Sequence, residues 1–378
     1  MATPAVADPA PRALRLPPGA PYKRLVGVGG IGSGLFFALE GHHELRRNES
    51  RPGRLLDVRD YCKLHIVAHY PTLLLAARQD RGPFQVIPVG KVGIDETGLR
   101  LRAEMELAGM DVRFVDAVPG HPTLLSVCFQ YPDGSGGNVT TVDSAAALLA
   151  ERDVDAVERF IAPDTIALAA PEVPLAVRRH LLRRAEMKGA FRAASLTPAE
   201  ADEAWQAGLF GLADLLALNE DEAAAVGGTA FPQGDPSAFL ERLAAKLRAV
   251  QPQVRFVVTA GARGAYACEG RGWTHAPALD VPVVSTAGAG DALLGGILTG
   301  LAAGLPFTAS RQRRGATALQ SAFDLGTLLA AFKVTSPHTI PTDLSLDTLL
   351  AFAREHGIAL AAPFRSLLPD DLDHRHAS

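Results

Sequence analysis

The sequence predicts an α/β protein, a three-layer αβα sandwich whose mostly parallel sheet has helices on both faces, with a small β lid. The first observation is that short apolar runs alternate with amphipathic segments between residues 165 and 250, as in parallel strands joined by helices. The second is that two earlier regions lack a helical period and alternate in places. The third is the size of the chain, 378 residues of which 48% are hydrophobic, enough for one large core.

The elements follow in chain order. Residues 1–20 are rich in Ala and Pro and are predicted to be a disordered tail, residues 21–362 form the main domain, and residues 363–378 are polar and predicted to be a loose tail. The lid is predicted at about 35–66 and 120–143, with a hairpin over 124–131 and 139–142. Elsewhere the pattern predicts strands at 24–28, 165–169, 190–194, 215–218 and 254–259, and helices at 174–188, 198–208, 236–250, from Asp291, and at 328–335.

Composition excludes several classes of partner. A net charge of −4 gives no electrostatic case for nucleic acid or an anionic membrane. Cys62, Cys128 and Cys268 are odd in number and far apart, so neither a disulfide framework nor a zinc cluster is indicated. No apolar run reaches about 20 residues, and residues 1–20 lack the apolar centre of a signal peptide. We therefore expect a cytoplasmic protein.

The most informative segment is the loop that leads from Ser285 to Asp291. Gly288, Ala289 and Gly290 are small enough for backbone amides to surround an anion, and the following helix points its positive end at the same place. An acid beside a bound phosphate is explained if Asp291 takes the proton of a hydroxyl that attacks the phosphoryl group. The alternative is a glycine-rich turn in which Asp291 only complements the helix start.

A second glycine motif favours a different class of enzyme. Gly27-x-Gly29-x-x-Gly32 follows a predicted strand and fits the dinucleotide fingerprint of an NAD- or FAD-dependent oxidoreductase. That fingerprint requires a helix of about three turns after the glycines. Here the apolar run 35–39 ends at Gly41 and a charged, unpatterned segment follows, so the oxidoreductase is the weaker hypothesis.

Four further motifs stand in a fixed order around this loop. They are the Val-Gly stretch 89–98, Asn219-x-x-Glu222 after a buried strand, the strand–turn–strand segment 254–266 with Thr259, Gly261 and Gly264, and the helix 328–335 with Thr327 near its start. Together with 285–291, over about residues 22–345, they resemble the ribokinase/PfkB carbohydrate kinase family. The resemblance implies a ribokinase-like fold and an ATP-dependent transfer of the γ-phosphoryl group to a hydroxyl of a sugar or related polyol.

The resemblance also implies roles for individual residues. Asp291 would be the general base, and the amides of Ala287, Gly288, Ala289 and Gly290 would hold the phosphoryl group. Asn219 and Glu222 would position Mg²⁺ through water, a use that suits their oxygen atoms, although acids at a helix start also complement its dipole. Thr259, Gly261, Gly264 and Thr327 would border ATP, and Gly30 and Gly32 the substrate. We also expect that two copies of the chain can pair through the lid as a homodimer.

The chain departs from the family pattern in three places. Ser285 replaces an aspartate that supports a monovalent-cation site, so potassium activation is not expected. Glycines replace the aspartate that usually ends the first strand, and Lys63 and His65 fall in the usual sugar motif. As hydrogen-bond donors, Lys63 and His65 would favour a substrate with a negative group; the alternative is a surface lysine and a core histidine. A nucleoside or vitamin precursor as substrate, and a fold that binds without catalysing, also stay open.

Overall fold

The computed structural model describes residues 12–41, 44–80, 82–132, 136–309 and 318–373. In chain order its strands are β1 Arg24–Val28, β2 Gly32–Leu39, β3 Gly53–Leu56, β4 Gln85–Gly93, β5 Val115–Val118, β6 Leu124–Gln130, β7 Gly136–Thr140, β8 Thr165–Ala169, β9 Phe191–Ser195, β10 Leu215–Asn219, β11 Arg255–Thr259, β12 Ala265–Glu269, β13 Gly272–Ala276, β14 Ala318–Leu319 and β15 Ala359–Leu360. The helices are α1 Lys63–Leu74, α2 Glu96–Ala108, α3 Glu151–Asp155, α4 Leu175–Met187, α5 Ala201–Gln206, α6 Glu220–Gly227, α7 Ser237–Arg248, α8 Ala289–Ala302, α9 Ala322–Val334, α10 Leu346–Glu355, α11 Ala362–Arg365 and α12 Asp370–Asp373.

The central sheet of the described chain has nine strands in the order β13-β12-β11-β10-β9-β8-β1-β4-β5. Strand β12 pairs antiparallel with both β11 and β13; the other neighbours are parallel. Successive side chains of a strand point to opposite faces, and in β10 Leu215 joins the core formed with α1, α8 and α9, whereas Leu216 joins the core formed with α4 to α7. The predicted three-layer αβα sandwich is therefore confirmed.

The lid is a separate sheet in the order β3-β2-β6-β7. The lid was predicted to extend to residue 66, but Lys63 begins α1, whose buried face lies in the main core. The glycines after β1 lead into strand β2 and not into a helix. The dinucleotide fingerprint of an oxidoreductase therefore lacks its helix in this structure.

The predicted tails are partly wrong. Residues 1–11 and 374–378 lie outside the described residues, but Leu14 is buried, its amide donates to the carbonyl of Leu74, and Arg15 donates to the carbonyl of Leu367. Phe364 and Leu368 are also buried. The two terminal segments pack on the main core and on each other. Their apolar side chains are few and contact residues far away in sequence, so local composition did not reveal the packing.

Helices α8 and α9 pack at very short distance, and this positions the loop before Asp291. A Cβ atom at Gly296 would lie 2.7 Å from the Cα of Gly326, so the two backbones approach closely only because both residues are glycine. Residues of α8 from Ala292 to Ala302 are buried. The start of α8 is thus held by a rigid pair of helices.

Candidate active site

A cavity of about 1250 Å³ lies where the carboxyl ends of β10 and β11 meet the start of α8. Parallel sheets place ligand crevices at the carboxyl ends of their strands. Most of the predicted site residues line this one cavity: Lys63, Asn219, Glu222, Thr259, Gly261, Gly264, Gly288, Ala289, Gly290, Asp291 and Thr327. The structure therefore brings together residues that are up to 264 positions apart in the sequence, from Lys63 to Thr327.

The loop before α8 has the backbone shape that its small residues predicted. Gly288 precedes the helix with φ of 79°, a left-handed conformation that favours glycine. The amide of Ala287 donates to Oγ of Ser285 at 3.3 Å, and the amide of Ala289 donates to the carbonyl of Thr286 at 3.1 Å. The expectation that all four amides face a phosphate is therefore wrong for Ala287 and Ala289. Within the described structure, the amides of Gly288 and Gly290 keep no such partner.

Asp291 stands in the first turn of α8 and is only partly accessible. Burial raises the pKa of its carboxyl group to about 6; the ammonium of Lys63 opposes that shift, whereas Glu222 and Asp60 add to it. A base with a pKa near the working pH is suited to accept a proton and release it again.

Lys63 lies at the start of α1 and reaches into the cavity. Its ammonium donates to Oε1 of Glu222 at 3.1 Å and to the carbonyl of Leu196 at 3.3 Å. Burial lowers the pKa of Lys63, but the charges of Asp291 and Glu222 outweigh that effect and the net shift is upward. Lys63 is therefore a charged, paired lysine inside the cavity and not an unpaired surface residue.

Asn219 and Glu222 form a reciprocal cap at the start of α6. Oδ1 of Asn219 accepts from the amide of Glu222, and Oε2 of Glu222 accepts from the amide of Asn219, both at 2.8 Å. Among the described residues no group of three or more His, Cys, Asp or Glu side chains could hold a metal directly. Each carboxylate oxygen has a further lone pair, so the pair can accept from metal-bound water but does not form a direct metal site.

Three of the predicted substrate residues do not line the cavity. Gly32 lies in β2 and packs on Leu124, whereas Gly30 packs on Glu172, whose Oε2 would lie 2.6 Å from a Cβ at that position. His65 is buried and packs against Tyr61, with ring centroids 4.4 Å apart and ring planes tilted by 55°. Burial lowers the pKa of His65 well below its ordinary value, and the charges of His69 and Arg100 add to the shift, so His65 is a neutral core residue and carries no positive charge that would attract an anion.

Two carboxylates near Asp291 were missed by the sequence analysis. Glu172 follows β8 with φ of 72°, which is unusual for a residue other than glycine, and its Oε2 accepts from the amide of Lys63 at 3.3 Å. Burial raises the pKa of Glu172 to about 7, opposed by Lys63 and reinforced by Asp291. The signal was present, since Glu172 comes three residues after the carboxyl end of a fully buried strand.

The second missed carboxylate is Asp60, in the segment between the lid and α1. Burial raises its pKa to about 6, against hydrogen bonds from Thr339 and the amide of Tyr61 and the charge of Lys333. No local pattern marks Asp60, because residues 57–62 form neither a helix nor a regular strand.

The comparisons with known proteins agree with this fold. Solved structures similar to this chain include a ribokinase from Thermotoga maritima (20% identity, TM-score 0.68, 88% of this chain and 100% of that one) and a ribokinase from Cryptococcus neoformans in complex with ADP (21%, 0.67, 87% and 99%). A nucleoside kinase from Burkholderia thailandensis in complex with inosine is also similar (16%, 0.63, 87% and 98%).

At these identities the likeness shows the fold alone, and no curated protein matches the chain by sequence. None of the described helices is long and apolar enough to cross a membrane. A family model described as pfkB family carbohydrate kinase matches residues 75–345, well over half of the sequence. The chain therefore belongs to the pfkB family of carbohydrate kinases.

Proposed function

We propose that this protein transfers the γ-phosphoryl group of ATP to a hydroxyl of a neutral sugar or polyol, with Asp291 as the general base. The observation that carries the proposal is an acid of raised pKa in the first turn of a buried helix, directly after two free backbone amides. The helix end and the amides stabilise negative charge on the transferring group, and the acid supplies the base that an attacking hydroxyl needs.

The reaction is a displacement at phosphorus. The substrate oxygen forms a bond to the γ-phosphorus, the bond to the bridging oxygen breaks, and ADP leaves with that electron pair. The proton of the attacking hydroxyl passes to the carboxylate of Asp291. The amides of Gly288 and Gly290 lie at the loop that precedes Asp291, where they would hold the outer phosphate oxygens as their charge increases.

Mg²⁺, when bound with ATP, would neutralise charge on the phosphates. Asn219 and Glu222 fit an indirect role, as acceptors for metal-bound water. Their side-chain oxygens already take part in the cap of α6 and in the pair with Lys63. The nucleotide itself would lie along Thr259, Gly261, Gly264 and Thr327, which line the other part of the same cavity.

The charges near Asp291 favour a neutral substrate over an anionic one. Glu172, Asp60 and Asp291 are hydrogen-bond acceptors, and the only ammonium that lines the described cavity, that of Lys63, is already paired with Glu222. A polyol offers several hydroxyl donors to such a site, whereas the carboxylate or phosphate of a sugar acid or sugar phosphate would be repelled. This reverses the preference for an anionic group suggested by Lys63 and His65 alone.

The direct test is a coupled ADP-release assay with a panel of neutral sugars, polyols, nucleosides, sugar acids and sugar phosphates. We expect turnover with a neutral member, and a loss of about 10²–10⁴-fold in Asp291→Asn with little change in ATP affinity. Turnover confined to anionic substrates would contradict the charge argument, and an Asp291→Asn variant within tenfold of wild type would exclude Asp291 as the base.

We also propose that the outer face of the lid pairs with a second copy of the chain. Residues paired across neighbouring strands point to the same face, and the register places Leu35 beside Val127 and Val127 beside Val139. These side chains are 42%, 36% and 69% exposed. An exposed apolar strip of this kind is typical of an interaction surface.

A further inference from the structure

Lys333 is a basic residue in a place that usually excludes charge: burial lowers its pKa to about 8, opposed by the charge of Asp60, so it carries its proton at neutral pH. It lies near the end of α9, is fully buried, and has the apolar neighbours Phe332 and Val334. Burying an ammonium group is costly unless its hydrogen bonds are satisfied. Its Nζ donates to the carbonyl of Ser285 at 2.9 Å and to the carbonyl of Ser336 at 3.5 Å. Among the described residues, the ammonium is thus bound by carbonyl oxygens and not by a carboxylate.

The first of these carbonyls belongs to the loop that leads to Asp291. The amides of Val284 and Ser285 both donate to the carbonyl of Val334, and Oγ of Ser285 accepts from the amide of Ala287. At the other end of the loop, a Cβ at Gly288 would lie 3.1 Å from the carbonyl oxygen of Thr339. We call residues 333–339 the buttress segment, because it supports the loop at both ends.

The buttress segment also reaches the region of Asp60 and Glu172 near Asp291, where the acceptor substrate is proposed to bind and which we call the substrate end. The amide of Tyr61 donates to Oγ1 of Thr339 at 3.1 Å, and the amide of Thr339 donates to the carbonyl of Arg59. The charge of Lys333 acts on Asp60, which lies between these two contacts in sequence. The buried ammonium of Lys333 therefore interacts both with the loop 285–290 and with Asp60.

We propose that Lys333 is a built-in monovalent cation, which holds the loop 285–290 in its anion-binding shape and adds positive charge behind it. A potassium or ammonium ion bridging two peptide carbonyls would make the same contacts as this Nζ. Lys333 does not line the cavity, so it is a positioning residue and not a catalytic one. The effect on catalysis rests on the proposed kinase function, whereas the binding of a cation does not.

The test compares two variants that both remove the charge. Lys333→Ala leaves a space beside the two carbonyl oxygens, and Lys333→Met fills most of it with an uncharged chain. We expect phosphoryl transfer to fall by about 10–100-fold in both, since a displaced loop misplaces the reacting groups. Replacing N-methyl-D-glucamine by potassium or ammonium at constant ionic strength should restore Lys333→Ala about tenfold or more. Lys333→Met and the wild type should not respond.

Thermal unfolding without nucleotide gives a second reading that does not depend on activity. Potassium should raise the melting temperature of Lys333→Ala above that in N-methyl-D-glucamine, with no such difference for Lys333→Met. A folded Lys333→Ala variant that responds to neither cation, in melting or in turnover, would overturn the proposal. A cation-dependent melting temperature in a protein without kinase activity would reject the proposed function and keep the built-in cation.

Crystals of the wild type grown with rubidium decide the question even if neither variant folds. Rubidium replaces potassium in its sites and is located by its anomalous scattering. We expect no rubidium between the carbonyls of Ser285 and Ser336, because the ammonium of Lys333 occupies that position. A rubidium peak there, with the lysine side chain turned away, would refute the proposal.

Discussion

At the scale of single residues, the proposed substrate end combines three acids whose burial raises the pKa: Asp291 and Asp60 to about 6 and Glu172 to about 7. The ammonium groups of Lys63 and Lys333 oppose these shifts without cancelling them. The three carboxyls therefore change their charge within a narrow range of pH, close to neutrality. Catalysis and stability should both depend on pH in that range.

The first prediction concerns the pH profile of kcat/KM. Asp291 accepts a proton only when it is ionised, so the rate should fall as the pH drops through about 6 and approach a plateau above it. Because the pKa of Glu172 is about 7, its protonation should make the rate begin to fall at a higher pH. The Glu172→Gln variant should show a single inflection near pH 6. A rate that is flat between pH 8 and pH 5 would contradict the role of Asp291.

The second prediction concerns the stability of Glu172→Gln. The folded protein binds the proton of Glu172 more tightly than the unfolded chain, so this group stabilises the fold at low pH, and that contribution is lost as the pH rises through about 7. At pH 8 the variant should be more stable than wild type by roughly 1–2 kcal/mol, and the gain should shrink at pH 5. Its KM for the acceptor substrate should rise.

The measurement is urea unfolding at both pH values, with Glu241→Gln as the matched control. Glu241 lies on the exposed face of α7, so the same substitution there removes a charge without relieving its burial. An equal change in the unfolding free energy of the two variants, or a gain at pH 5 that exceeds the gain at pH 8, would contradict the prediction. It would show that the buried charge of Glu172 does not destabilise the fold.

At the scale of elements, the start of α8 is the part of the fold on which the proposed chemistry depends. The helix is anchored on α9 through Gly296 and Gly326, and its first residues follow a loop held by the buttress segment. Anchoring at both places fixes the direction of the free amides. A fixed direction matters because charge stabilisation requires donors that are already oriented before the reaction.

The third prediction is that Gly288→Ala impairs both stability and turnover. A left-handed φ of 79° is unfavourable for alanine, and the added methyl group would press on Thr339 at 3.1 Å. We expect a loss of about 1–2 kcal/mol in unfolding free energy and a fall in kcat of about tenfold or more.

Gly270→Ala is the control for that substitution. Gly270 also has a positive φ, of 55°, but nothing lies within 4 Å of the added methyl group, and it connects β12 to β13 at a distance in sequence from the loop. It should lower stability by about 1 kcal/mol and leave kcat unchanged. If both variants lose activity equally, the loss reflects general destabilisation and not the shape of the loop.

At the scale of the whole molecule, the two larger of the three sheets in the described chain differ in what they contribute. The nine-stranded sheet is covered on both faces and carries the cavity at the carboxyl ends of its strands. The lid has one face over the substrate end, where Gly34 lies against Asp60, and an outer face with an exposed apolar strip. A second copy covering this strip would keep water away from its apolar side chains.

The fourth prediction is that the protein is a dimer that Val127→Lys dissociates. A lysine in the middle of the apolar strip would bring two like charges together in a symmetric interface. Leu107→Lys is the control, because Leu107 is 90% exposed on α2, outside the lid. Sedimentation equilibrium should give a monomer only for Val127→Lys; a monomeric wild type would reject the interface.

The sequence alone was sufficient for the three-layer sandwich, but not for the extent of the lid or the packing of the tails. Strands β1 and β8 begin and end where their apolar runs do, and α4 and α7 differ from the predicted helices by one or two residues at each end. The small residues of the loop 285–291 and the pair Asn219 and Glu222 were also recognisable. These features arise from interactions between residues a few positions apart, so short stretches of sequence are enough to predict them.

Only the tertiary structure decided which charges meet. Lys63 pairs with Glu222 across 159 positions, and Lys333 reaches Ser285 across 48. Neither pairing has a local signature, because each depends on how the crossovers bring α1, α6 and α9 to the same end of the sheet. That packing made Lys63 a paired lysine and His65 a neutral core residue, and it placed Asp60 and Glu172 beside Asp291. Local patterns set the fold, whereas the balance of charge inside the site follows from contacts between distant segments.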